Sequence, residues 1–278
     1  MASGNMKDIK RRVKSVESTM QITKAMELVA SSKIRKADDI AKGAVDYANA
    51  MTDAMKDILS PESKRSLYLS PPKTGIACII AVAGDRGLAG GYNSNVFKLL
   101  REETEGRNSL VLPIGNRIVE YCIRHKYKLI SSEFRSSEHI SDSDIKRISN
   151  RLAEMYNAHA FDSIKIISTK PVNVLSQVPA CVSILPLGVP ERNHTQIVFE
   201  PDCMTVLDMV ITGYLTAMIC ASVRESFLAE LYARRNSMDS ATKNAGEMIE
   251  KLSLQYNRAR QSSITQEITE IVAGAENQ

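Results

Sequence analysis

The chain has 278 residues, 44% hydrophobic and 24% charged, with a formal net charge of +4. That charge is too small to argue for nucleic acid, and the length admits one large domain or two modest ones. Aromatics make up 5%, tryptophan is absent and methionines number 12, which suits packed helices with adaptable contacts better than an aromatic-lined ligand pocket.

The N-terminal segment, from Lys7 to about Ser60, carries a seam at Ile9, Val13, Val16, Met20, Thr23, Glu27, Ala30, Ile34, Ala37, Ala41, Ala44, Ala48, Met51, Met55 and Ile58. The spacing alternates four and three, and only Thr23 and Glu27 are polar. This is the heptad pattern of a coiled-coil strand. Alanines in its middle let a partner helix approach closely. Pro61 and the Ser/Pro-rich stretch to Pro72 end the helix.

From Lys73 to Pro201 the period changes. Ile76 to Ala83 is a continuous apolar run, the pattern of a buried parallel strand. A helix is expected over Asn93 to Glu105, a strand over Leu110 to Ile114 and a helix over Asn116 to His125. A third strand follows over Leu129 to Phe134, then a helix over Asp142 to His159. Further strands are expected at Ser163 to Thr169, Cys181 to Leu185 and Gln196 to Phe199. Alternating strands and helices imply a parallel, doubly wound sheet.

No proline occurs from Asp202 to Gln278. Asp202 fits an N-cap, and one helix over Cys203 to Ala273 would be about 105 Å long at ~1.5 Å per residue. A globular chain of this size has a radius of gyration of only about 19 Å, so such a helix must project as a rod. Apolar residues from Val206 to Leu231 form a broad face. Ala241, Ala245, Met248, Leu252, Tyr256 and Ala259 continue the three-and-four spacing, and the last turns keep Ile264, Ile268, Ile271 and Val272. Arg260, Gln261, Ser262 and Thr265 interrupt the apolar seam, as in either a solvated end or a helix enclosed by other chains and hydrogen-bonded to them. The two end helices can pair antiparallel because the middle block returns the chain. The divisions are residues 1–60, 73–201 and 202–278.

Little here suggests catalysis. The five cysteines, Cys78, Cys122, Cys181, Cys203 and Cys220, lack metal-ligand or redox spacing and read as buried thiols of a reducing compartment. His125, His139, His159 and His194 sit in separate elements without companion ligands. The longest apolar run, near 206–223, is broken by Asp208 and falls short of a membrane span. Residues Met1 to Lys36 hold nine Lys or Arg against three acids, either a solvated face or a collar for acidic protein. The most enzyme-like feature is Gly84-Asp85-Arg86-Gly87-Leu88-Ala89-Gly90-Gly91-Tyr92-Asn93, where a strand opens into a helix. Its glycine spacing matches neither a dinucleotide fingerprint nor a P-loop, and Asp85 puts a carboxylate where phosphate would sit. A tight structural turn is the plainer reading. Nucleotide binding there, or a static self-pairing scaffold, are the competing readings.

Three blocks carry a family resemblance. They are Ile22-Thr23-Lys24-Ala25-Met26-Glu27-Leu28-Val29-Ala30-Ser31-Ser32-Lys33, the turn Asp85 to Asn93, and the C-terminal stretches Glu230 to Ala245 and Asn257 to Ala275. With them the chain resembles the gamma subunit of the F-type ATP synthase over nearly its whole length. Arg235 and Ser237 stand where that family usually has methionine and alanine.

The resemblance implies a long antiparallel coiled coil of N- and C-terminal helices plus a Rossmann-like doubly wound α/β domain. It implies a non-catalytic central rotor shaft without a cofactor, one copy per complex. Its expected partners are an alternating hexamer of alpha and beta subunits, the epsilon subunit and the membrane c-ring. Its expected place is the cytoplasmic face of a bacterial plasma membrane; the N-terminus has neither a signal-peptide core nor transit-peptide composition. By the same resemblance Arg260, Gln261, Thr265, Glu267, Arg234, Lys24 and Met26 would meet the beta subunit. Glu200 and Asp202 would lie toward the c-ring and epsilon. Asp85, Arg86, Gly87, Gly90 and Gly91 would form a structural turn.

Overall fold

The computed structural model describes residues 2–59, 66–71, 73–188, 199–200 and 202–276. In chain order the elements are α1 (Ala2–Ile58), β1 (Ile76–Val82), α2 (Tyr92–Thr104), β2 (Asn108–Ile114), α3 (Asn116–Arg124), α4 (Asp142–Asn157), β3 (Ser163–Pro171), β4 (Gln177–Leu185) and α5 (Cys203–Glu276). The long terminal helices and the α/β block between them agree with the expected fold class. Two compact units divide the chain, Ser31–Arg234 and the pair of segments Met1–Ala30 and Arg235–Gln278.

Within Ser31–Arg234 a four-stranded sheet runs in the order β2-β1-β3-β4. β1 pairs parallel with β2 and β3. β1 is buried on both faces, and its side chains alternate between two cores. Cys78, Ile80 and Val82 join Ile145 and Leu152 of α4 and Leu207, Ile211 and Leu215 of α5. Ile79, Ala81 and the following Ala83 join Val96 and Leu100 of α2 and Ile118 and Cys122 of α3. Burial on both faces is why this strand reads as an uninterrupted apolar run.

The sheet is mixed rather than wholly parallel, because β4 lies antiparallel to β3. The cause is the short connection 172–176, where Asn173 Oδ1 accepts from the backbone N–H of Leu175 and Ser176 at 2.8 Å each. So short a link can return the chain only antiparallel. The strand expected at Leu129 to Phe134 is reduced to one bridge, Val111 to Leu129. Its chain leaves the sheet, and the Phe134 carbonyl instead accepts from Gly115 N–H at 2.8 Å. The strand expected at Gln196 to Phe199 falls outside the described residues apart from Phe199, which is not in a strand.

In this unit α1 and α5 pack antiparallel. Ala37 and Ala41 meet Leu228 and Leu231, while Ala48 meets Ala217 and Ala221, so positions rise along one helix as they fall along the other. Small side chains permit that close approach. Asp202 caps α5: its carboxylate accepts from Met204 N–H at 2.9 Å and Thr205 N–H at 3.0 Å. One stretch of α5 is long and apolar enough to cross a membrane by length and composition. Leu207, Leu215, Ile219 and Val223 are nevertheless fully buried against the protein's own core.

In the other unit, Thr23 and Thr242 join α1 to α5 by a 2.8 Å hydroxyl contact. Every predicted α1 seam position from Ile9 to Ile58 is buried or half-buried. On α5 one predicted seam residue is misplaced. Met248 is exposed, and Ile249 takes the inner position between Ala245 and Leu252.

Candidate functional site

The turn 84–93 is a junction of hydrogen bonds. Gly84 N–H donates to Asn93 Oδ1 at 2.9 Å, and Asn93 Nδ2 returns to the Arg86 carbonyl at 3.1 Å. Gly90 has φ of 55° and Leu88 φ of 62°, the left-handed conformations of a tight reversal. Asp85 accepts from Ser136 Oγ and Ser137 N–H, both at 2.7 Å, and from Ser137 Oγ at 3.2 Å. Gly87 offers its carbonyl to Arg234 at 3.4 Å. Arg86, Gly87, Gly90 and Gly91 are exposed.

Above this turn lies α5. Glu230 is 3% exposed and ion-pairs with Arg234 one helical turn on, at 2.5 Å. Burial pushes the Glu230 carboxyl above its ordinary range, and Arg234 only partly offsets that. Tyr92 Oη contacts Ser226 Oγ at 2.8 Å, and Ala89 and Tyr92 pack on Ala229. The space over the end of β1 is thus filled by carboxylates and a close-packed helix, which disfavours phosphate. Arg234, expected to face another subunit, is tied into the turn of its own chain. Sequence reasoning did not single out Glu230. Its spacing from Arg234 was a readable signal of a helical ion pair.

The remaining predicted residues do not converge on one place. Lys24 is exposed and pairs with Glu27 at 3.0 Å, and Met26 is half-buried. Glu200 and Asp202 are exposed, Pro201 between them lying outside the described residues. The Asp202 carboxyl is lowered from its ordinary value by the Thr205 hydroxyl and by the helix N–H groups that it caps.

Arg260, Gln261, Thr265 and Glu267 are all exposed on the distal part of α5. Thr265 Oγ1 donates to its own helix, at the Gln261 carbonyl. The inner stripe runs through Leu252, Tyr256 and Ala259 to Ser263, which is 7% exposed. Here the expected apolar seam fails: Ile264 is 48%, Ile268 56% and Val272 51% exposed. A four-residue step from Ala259 carries the inner face to Ser263 and turns Ile264 outward. The side chain of Ile271 lies outside the described residues. At about 100° per residue, Ile264, Ile268 and Val272 form one outward stripe, with Arg260 and Glu267 along one edge and Gln261 and Thr265 along the other. An apolar stripe between hydrogen-bonding edges suits a partner protein.

Elsewhere the chemistry is sparse. Burial raises the thiols of Cys78, Cys122, Cys181 and Cys220, that of Cys122 to about 12, so these four are poor nucleophiles. Among the described residues no group of three His, Cys, Asp or Glu could hold a metal ion.

Comparison with known proteins is consistent across three kinds of match. The family described as ATP synthase matches residues 5–277. The ATP synthase gamma chain of Ruminococcus albus is 42% identical over 281 residues, covering 98% of each chain. The sodium-ion-specific ATP synthase gamma chain of Acetobacterium woodii is 36% identical, again over 98% of each. A chain in the cryo-EM structure of the Euglena gracilis mitochondrial ATP synthase assembly of OSCP, F1 and c-ring superposes with a TM-score of 0.68 at 15% identity. That match covers 99% of this chain and 94% of the other. A chain of the rotor from the same source gives 0.63 over 94% and 99%.

Proposed function

The chain belongs to the ATP synthase gamma-chain family, and we propose from that premise that it is the central rotor shaft of an F-type ATP synthase. In this reading the paired helices, 1–60 and 202–278, reach into an alternating hexamer of alpha and beta subunits. The sheet domain, 73–201, sits below with the epsilon subunit and the c-ring, and one copy serves each complex. The chain itself carries out no bond chemistry. It acts at the membrane only through the ring, on the cytoplasmic face of a bacterial plasma membrane.

The observation that carries this reading is the outward stripe of Ile264, Ile268 and Val272, edged by Arg260, Gln261, Thr265 and Glu267. A self-pairing scaffold would turn those isoleucines inward. Instead the helix directs its apolar residues away from its own seam, as a helix enclosed by other chains would. Lys24 and Met26 add contacts to beta lower on the shaft, Arg234 is held by Glu230 and the Gly87 carbonyl of its own chain instead, and Glu200 and Asp202 mark the foot near the ring. Moving a two-state site from 1:99 to 99:1 takes about 5.5 kcal/mol of differential contact. Hydrogen bonds to charged groups supply about 1.5–3 kcal/mol each, so two to four made in one rotational position and lost in another suffice. An asymmetric shaft can therefore hold each beta subunit in a different state as it turns.

The test is reconstitution with alpha and beta subunits, followed by ATP hydrolysis and single-particle rotation. One copy per hexamer and rotation of a probe on the sheet domain is the expected result. Failure to join the hexamer, with nucleotide binding by the chain alone, would overturn it.

A further inference from the structure

We propose that Glu230, Asp85, Glu138 and Lys33 form a torsional clamp that fixes the sheet domain to both long helices. They are positioning residues, and the inference rests on the shaft reading above. The observation is a continuous polar chain inside Ser31–Arg234. On the α5 side Glu230 sits against Gly84, so close that a Cβ there would lie 2.6 Å from Glu230 Oε1, and Arg234 bridges Glu230 to the Gly87 carbonyl. Asp85 then holds the segment 136–138 through both serines. Glu138 of that segment pairs with Lys33 of α1 at 2.5 Å. A parallel strut runs from Arg224 of α5 to the Ile140 carbonyl at 3.2 Å and to Asp142 at 2.9 Å.

Geometry makes this a clamp against twist. α1 and α5 meet mainly through alanines and leucines, and such apolar contacts are not directional. Torque applied at the sheet domain must reach both helices without slippage. Hydrogen bonds and ion pairs have fixed directions and resist sliding, and these lie on both helices at the level where β1 ends. The segment 136–142 is the shared anchor: it takes Asp85 from the sheet side, Lys33 from α1 and Arg224 from α5. This also explains why the segment after Leu129 abandons the sheet.

Charge reversal tests the pair that is open enough to tolerate it, since Lys33 and Glu138 side chains are 47% and 28% exposed. Lys33→Glu, Glu138→Lys and the double reversal are placed in the complete complex. Three quantities are measured: ATP hydrolysis, coupling ions (H+ or Na+) pumped per ATP, and torsional stiffness from the fluctuation of a probe on the sheet domain. Each single reversal should leave hydrolysis intact but lower stiffness and the pumping ratio, and the double reversal should restore both. In the isolated chain, hydrogen exchange of the Ser137 amide, which donates to Asp85, should quicken about 2–5-fold with each single reversal, the weight of a partly exposed ion pair.

A wild-type complex that rotates, with single reversals equal to it in stiffness and pumping ratio, overturns the clamp alone. So does unchanged Ser137 exchange. A wild-type chain that never joins the hexamer overturns the shaft reading and the clamp with it.

Discussion

The Glu230 carboxylate lies over the bare α-carbon of Gly84, leaving no room for a methyl group between them. Alanine at position 84 must displace a buried carboxylate that Arg234 holds in place. Gly84→Ala should destabilise the chain by about 1–3 kcal/mol, the range for overpacking. Gly115→Ala should cost more. Its φ is 107°, and its added Cβ would meet the rigid Ala83 carbonyl rather than a side chain. Urea unfolding of the two variants, compared with wild type, checks both the sign and the order.

The burial of Glu230 has a consequence for pH. Its folded carboxyl titrates above the ordinary value of 4.5, with burial the main cause and Arg234 opposing it. A carboxyl whose pKa rises on folding stabilises the fold fully below its unfolded value. It loses that contribution as pH rises through the folded value. Glu230→Gln removes the titration. The stability of wild type minus that of Glu230→Gln should therefore fall as pH climbs upward from about 4.5. Thermal melts at closely spaced pH values measure it, and a difference that rises with pH would count against the buried placement.

Thr23 and Thr242 place two hydroxyls 2.8 Å apart in a helical seam, with the Met20 and Met238 carbonyls also in reach, so that one hydroxyl donates across the seam while the other donates to its own helix. Replacing one by valine removes the contact between helices and leaves the other hydroxyl facing a methyl group. Thr23→Val or Thr242→Val alone should cost about 0.5–1.5 kcal/mol. The double valine should cost less than the two singles together, because each single already loses the one contact that the two hydroxyls share. A double-mutant cycle by denaturant unfolding gives the coupling directly.

How far the sequence could be read follows from what each pattern encodes. The α1 seam from Ile9 to Ile58 and the run Ile76 to Val82 were legible because burial there is periodic or complete. Asp202 was legible as a cap from its place before the proline-free stretch. The direction of β4 was not, since it depends on the 172–176 turn rather than on strand composition. Ile264 and Ile268 were misread as seam. Hydrophobicity alone cannot distinguish an apolar residue packed in its own fold from one held outward, and Ser263 on the inner face breaks the usual rule. The Glu230 cluster was missed because its members, Gly84, Asp85, Glu138 and Lys33, are scattered along the chain and meet only through the fold.

The distal face of α5 gives a prediction that separates folding from assembly. Arg260 and Gln261 are exposed, and the double variant Arg260→Ala plus Gln261→Ala removes nothing from the buried core of the chain. Its unfolding free energy should stay within about 0.5 kcal/mol of wild type, as for surface changes generally. In the hexamer the same change should weaken association or coupling. Losing one charge-assisted bond of about 1.5–3 kcal/mol corresponds to roughly a 10- to 100-fold effect. Ile268→Ser supplies the apolar counterpart: Ile268 is 56% exposed, so the isolated chain should tolerate serine there. A partner that covers the residue should not. If both variants fold normally but give low complex yield or ATP-driven rotation, the face works through other subunits. Full yield and normal rotation from both would instead mean that the stripe stays in solvent, and the contact would then have to lie lower on the shaft, at Lys24 and Met26.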